Sequence, residues 1–168
     1  MFFKNFKNKK VIVTGHTGFK GSWLSLWLYL SGAKVIGISD KTEKRSNYQA
    51  LGLNKKILSK KIDIRNFNKL KKIFKKNNPD FVFHLAAQSL VKKSYDAPML
   101  TFNTNSIGTL NLLESLRFMK KKCVIVVITS DKSYKNLELN RGYNEEDLLG
   151  GVDPYSASKA CAELVIKS

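Results

Sequence analysis

Five short apolar runs punctuate the chain, at residues 10–14, 34–39, 57–63, 81–85 and 123–129. Most are continuously apolar rather than alternating, the pattern of strands covered on both faces. Between them lie longer stretches with helical periodicity, at about residues 21–31, 66–76 and 98–119, and a last one starts near Pro154 and continues to Ser168. This alternation predicts right-handed crossovers between neighbouring parallel strands, an α/β protein with a doubly wound sheet. No strand follows the last helical pattern. We therefore expect one domain over residues 1–168, cut after the fifth strand and its helix, without the C-terminal portion that would cover a substrate. Trp23 and Trp27, one turn apart, are expected to pack the first helix on the sheet.

A chain of 168 residues, 43% hydrophobic and 26% charged, is large enough for one core and unlike a disordered or fibrous chain. No apolar run reaches the roughly 18 residues of a membrane span, so neither membrane insertion nor a secretory signal is expected. The net charge of +17 suggests nucleic acid at first sight. Its composition argues otherwise: 26 of the 30 basic residues are lysine, accompanied by 14 asparagines, whereas base readout favours the arginine fork. The excess is also confined to residues 1–122, with 25 basic against 6 acidic residues, and gives way to 5 against 7 afterwards. Cys123 and Cys161 stand alone, without metal-ligand spacing, and read as reduced, partly buried thiols; no metal is expected.

Three constellations carry chemistry. Gly15-His16-Thr17-Gly18-Phe19-Lys20-Gly21 follows the first strand and opens into a helix. Glycines there permit positive φ and close backbone approach, and a helix N-terminus offers unpaired N–H groups to a pyrophosphate. Asp40 ends the second strand, where a carboxylate can accept hydrogen bonds from a ribose diol and repel a 2′-phosphate, favouring NAD. Lys41, Lys44 and Arg45 follow at once and leave NADP open. The second constellation is Tyr155 with Lys159, one helical turn apart after Asp153-Pro154. A neighbouring ammonium stabilises a phenolate, which can then take a hydroxyl proton. The third is Ser130-Asp131-Lys132 at the carboxyl end of the fifth strand, a hydroxyl beside one acid and one base.

Together these stretches resemble the extended short-chain dehydrogenase/reductases, over nearly the whole chain. The matching residues are 15–23, His84-Leu85-Ala86-Ala87-Gln88, residues 129–134, and Gly142-Tyr143 with residues 150–159. Lys132 is the diagnostic position: it resembles the CDP-glucose branch of the sugar-nucleotide 4,6-dehydratases, whereas the dTDP-glucose and GDP-mannose branches carry glutamate there. The resemblance implies NAD as a tightly held cofactor, with Gly15, Thr17, Gly18, Phe19, Gly21, Asp40, Asp63, Ile64, Leu85, Ala86, Ala87, Asn105, Tyr155 and Lys159 around it. It implies Ser130, Asp131, Lys132, Tyr155 and Lys159 as the catalytic set. A nucleotide-sugar substrate such as CDP-glucose, a homodimer of the intact enzyme and a cytoplasmic location follow from the same resemblance. His84 is expected to be structural. Two alternatives stay open: an epimerase or reductase of the same fold, and a non-catalytic binding protein, either an NAD-binding fragment or a lysine-rich nucleic-acid binder.

Overall fold

A computed structural model describes residues 2–168, with side chains from Lys4 onward. Five parallel strands, β1 (Lys10–Thr14), β2 (Lys34–Ser39), β3 (Leu58–Lys61), β4 (Phe81–His84) and β5 (Val124–Val127), form one sheet in the order β3-β2-β1-β4-β5. The helices are α1 (Phe19–Leu30), α2 (Asn47–Ala50), α3 (Phe67–Asn77), α4 (Val91–Asp96), α5 (Pro98–Phe102), α6 (Gly108–Leu116) and α7 (Pro154–Lys167).

Apolar side chains alternate to the two sheet faces and build two cores. Ile12, Ile36, Ile38 and Val82 pack under Leu70 and Phe74 of α3 and Leu112 of α6. Val11, Val13 and Val35 pack on the other face against Leu28, Tyr48 and Leu53. Local signals set the helix ends. The Asn66 side chain accepts the Lys69 amide at the start of α3, and Asn78 closes it with φ of 42° ahead of Pro79. Asp153 accepts the Ser156 amide at 2.9 Å, with Pro154 in the first turn of α7.

Three expectations about the fold need correction. Trp23 and Trp27 are not core residues: they are 41% and 62% exposed, and α1 turns Gly21, Ser22, Ser25 and Leu28 to the sheet. Small residues on that face let the helix backbone come close, which leaves the bulky stripe outside. The helix expected at residues 98–119 is divided into α5, a π-helical turn at Asn103–Ile107 and α6, which ends at Leu116. Double-sided cover fails at both ends of the sheet. β3 is exposed throughout, its lysines protecting an edge, while Val124, Val126 and Ile128 in and just beyond β5 are 40–55% exposed. The short helix α2 and the 3₁₀ turn Leu53–Lys55 lie in a segment without periodicity long enough to announce them.

Candidate active site

The chain builds the sheet outward from β1 through β2 to β3, then returns to lay β4 and β5 on the other side of β1. Ligands of doubly wound sheets bind in the crevice beyond the carboxyl ends at such a reversal. Every predicted site residue lies on a segment at that end of the sheet or on the elements packed against it.

The glycine turn crosses β1. Gly15 has φ of 72°, its N–H donates to the Ile38 carbonyl at 2.8 Å, and its carbonyl accepts the Gly18 N–H at 3.0 Å. A Cβ on Gly15 would lie 2.8 Å from the Ala86 nitrogen, and one on Gly21 would overlap the Gly15 carbonyl oxygen. The predicted cofactor segments 15–21 and 85–87 are therefore in backbone contact. Gly18 caps α1 with extended backbone and no side-chain bond, leaving the first-turn N–H groups of a 12-residue helix pointed at the crevice. These features fit a dinucleotide pyrophosphate: an uncapped helix start beside glycines that let the turn pack directly on the backbone of the helix and of the segment after β4.

Beyond the turn, the Thr17 hydroxyl donates to the Lys41 carbonyl at 2.8 Å and pairs with Ser39 at 2.7 Å, tying the turn to the end of β2 beside exposed Asp40. His16, singled out by no sequence signal beyond its place between glycines, is buried. Its ring bonds Ser59 at 2.7 Å, meets the Tyr48 ring edge-on and occupies the space that a side chain on Gly37 would need. Asp63 is engaged by Arg65, whose hydrogen bonds hold the carboxyl below its usual range. Ile64 is buried in the α3/α6 core, so its contact with a cofactor would come from the backbone.

A buried polar chain supports the segment after β4. The Thr14 hydroxyl accepts the Leu85 and Ala86 amides at 3.2 and 3.1 Å and bonds His84 Nδ1 at 2.6 Å. Thr109 donates to the Asn105 carbonyl at 2.6 Å, so it accepts at 3.1 Å from His84 Nε2. His84 is thus a neutral imidazole protonated on Nε2, a structural role as expected. Asn105 accepts the Gln88 amide at 2.8 Å and donates to the Gln88 carbonyl and the Ser158 hydroxyl. Its amide is consumed inside the protein, so it holds the segment after β4, the π-helical turn and α7 together rather than reaching into the crevice.

Burial, with the Lys159 charge adding, pushes His84 down to about 3. An unfolded imidazole binds a proton below about 6.5, so between 6.5 and 3 the unfolded state binds more protons than the folded one. Stability is full above that window and is expected to fall with pH by up to about 1.4 kcal/mol per unit inside it. Urea unfolding between pH 7 and 5 checks this. His84→Gln should flatten the dependence, and an unchanged slope would remove His84 as its source.

The catalytic candidates lie on the turn after β5 and on α7, which packs against it. Ser130 starts a 3₁₀ turn at Asp131–Ser133; its hydroxyl accepts the Lys132 amide at 3.2 Å and donates to Asp131 at 3.1 Å. That turn packs on α7 and is bonded to the loop before it, Gly150 N–H donating to the Ser133 carbonyl at 2.8 Å. A side chain on Gly151 would overlap Ser156, so glycine lets this loop reach α7. Burial raises the Asp153 carboxyl; the Ser156 bonds and the Lys132 charge outweigh it and hold it low. Lys159, 6% exposed, donates from Nζ to the Ile128 carbonyl at 3.3 Å. Burial pulls its ammonium down to about 8 against the opposing pull of Glu163. Concavities of about 480 and 310 Å³ lie elsewhere, beside Cys123 and between β3 and α3, and neither gathers an acid, a base and a hydroxyl. Among the described residues no cluster of His, Cys, Asp or Glu could hold a metal, and no helix is long and apolar enough to cross a membrane.

Sheet order, glycine turn and the Tyr155/Lys159 helix define a Rossmann-type domain of the extended short-chain dehydrogenase/reductase class. Residues 12–168 match the family described as GDP-mannose 4,6 dehydratase, and the chain belongs to that family. It is 49% identical to CDP-glucose 4,6-dehydratase of Salmonella typhimurium over 167 residues, 98% of this chain and 46% of the relative. It is 34% identical to dTDP-D-glucose 4,6-dehydratase of Dictyostelium discoideum, over 95% of this chain and 40% of that one. An epimerase structure from Methanothermobacter thermautotrophicus superposes with a TM-score of 0.83 at 30% identity, covering 98% of this chain and 48% of that one. The chain thus spans about half the length of the relatives it matches.

Proposed function

We propose that this chain is the NAD-binding half of a sugar-nucleotide 4,6-dehydratase that converts CDP-glucose to CDP-4-keto-6-deoxyglucose. The observation that carries the reading is the packing of the Ser130-Asp131-Lys132 turn on the helix bearing Tyr155 and Lys159. An acid, a base and a proton acceptor with its own cation thereby share one end of the sheet. The 49% identity to a CDP-glucose 4,6-dehydratase supports the substrate class. The cradle formed by Gly15, Gly18 and Gly21 would hold the pyrophosphate, and Asp40 the ribose diol.

Bound NAD would supply a hydride acceptor at C4 of the sugar and a hydride donor to C6, with no net oxidation. The residues of the chain handle protons. Tyr155, assisted by Lys159 and Ser130, takes the C4 hydroxyl proton. The resulting ketone acidifies C5–H, Lys132 removes that proton, and Asp131 protonates the departing C6 hydroxyl, so water leaves across C5 and C6. We further read the intact enzyme as a cytoplasmic homodimer. Exposed Met99, Ile107, Leu110 and Leu164 on α5, the π-helical turn, α6 and α7 would supply an apolar interface, and free Cys123 and Cys161 suit a reducing compartment.

The test is calorimetric titration with NAD and NADP, followed by assay of CDP-glucose turnover in the enzyme of full relative length. Preferential NAD binding and formation of a 4-keto-6-deoxy sugar are expected. An epimer as product, or reduced cofactor released in stoichiometric amounts, would overturn the dehydratase reading.

A further inference from the structure

Lys159 is a buried cation whose one hydrogen bond to the protein among the described residues is a long one, 3.3 Å, to a main-chain carbonyl. An ammonium taken out of water without a counter-charge loses its proton. One turn further along α7, Glu163 is half-buried, and its Oε1 accepts a 2.5 Å hydrogen bond from the Thr129 hydroxyl. Thr129 sits between Ile128, whose carbonyl receives the Lys159 ammonium, and Ser130. Two adjacent residues after β5 therefore hold the two partners, Lys159 by a backbone oxygen and Glu163 by a side-chain hydroxyl.

We propose that Glu163, oriented by Thr129, is a positioning residue that supplies the counter-charge keeping Lys159 in its ammonium form beside Tyr155. The other ionisable groups brought up to α7 do not fill this role: the Asp153 carboxylate is engaged by the Ser156 amide and hydroxyl at the start of the helix. His84 from β4 is neutral. Asp131 and Lys132 in the turn after β5 are exposed, so solvent screens them from buried Lys159. On α4, Lys92, Lys93 and Asp96 are at or near the surface, and on α6 Glu114 pairs with Arg117. The α5 helix and the π-helical turn carry no ionisable group. Burial pulls Lys159 down to about 8, and Glu163 is the charge that opposes it. Without that charge Lys159 would be partly neutral at the pH where the enzyme must work.

Glu163→Gln keeps the shape and the acceptor for Thr129 while removing the charge. Competitive acetylation of the intact protein with acetic anhydride across pH, read on the Lys159 peptide by mass spectrometry, gives the titration of that lysine directly. In Glu163→Gln it is expected to titrate about one pH unit lower. Thr129→Val should move it the same way and Thr129→Ser should restore it. In turnover, which rests on the dehydratase reading, Glu163→Gln should stay within about threefold of the parent at pH 6.5 and fall about tenfold at pH 8.5. A purely structural role would lower kcat equally at both. An unchanged Lys159 titration, or a pH-independent loss of kcat, overturns the proposal. A parent enzyme without dehydratase activity overturns the proposed reaction, while the labelling experiment still decides the pairing.

Discussion

Tyr155→Phe is expected to lower kcat by about three orders of magnitude and leave NAD affinity within about threefold. The substitution removes one oxygen and keeps the ring at the start of α7, where Asp153 and Pro154 set the helix independently of the phenol. What is lost is the group proposed to take the C4 hydroxyl proton. Ser130 has its hydroxyl tied to Asp131 and the Lys132 amide, and Lys159 as an ammonium only donates, so neither replaces it. Steady-state turnover of CDP-glucose with calorimetric NAD titration of the same variant separates the two effects. A loss below tenfold would remove Tyr155 from the proton transfer. A parallel loss of NAD affinity would make it a binding residue.

Gly21→Ala is expected to weaken NAD binding at least 100-fold and to destabilise the fold by about 2–3 kcal/mol. The added Cβ would overlap the Gly15 carbonyl and lie within 3.0 Å of His16 Cα, all main chain, so no side-chain rotation relieves it. The helix must back away from β1, carrying with it the N–H groups that face the crevice. Gly18→Ala is the internal comparison. Its φ of −73° suits any residue, and the nearest atom to a new Cβ is the Gly15 carbonyl oxygen at 3.3 Å. Its folding free energy should change by less than about 1 kcal/mol, while NAD binding still falls because the methyl occupies the cradle. Urea unfolding and calorimetry on both variants check the pair, and wild-type NAD affinity in Gly21→Ala would refute the cradle.

Some of this was legible in the chain, and particular residues show where legibility stopped. The order of apolar runs and helical stretches announced five parallel strands, because burial on both faces demands continuous apolar sequence and parallel strands need long crossovers. The Gly15–Gly21 spacing and the Tyr155/Lys159 pair were visible because their geometry is local, a turn and one helical turn. The edges were misjudged for the same reason: whether Val126 is covered depends on what packs on β5, not on Val126. Trp23 and Trp27 read as core because period alone cannot say which of two opposite faces of a helix meets the sheet. Gly21, Ser22, Ser25 and Leu28 decided that by allowing a closer approach.

By itself, then, the sequence determined the class of fold, the glycine turn after β1 and the spacings on which the proposed proton-handling residues rest, all written between near neighbours. Tertiary structure alone decided that Asn105 serves as a clamp, that His84 is neutral between Thr14 and Thr109, and that the Thr129 hydroxyl holds Glu163 one helical turn from Lys159. Those partners lie 4 to 70 positions apart in the chain. The closest of them, Lys159 and Glu163, share a helical face whose charges acquire strength only when the rest of the fold removes water from around them.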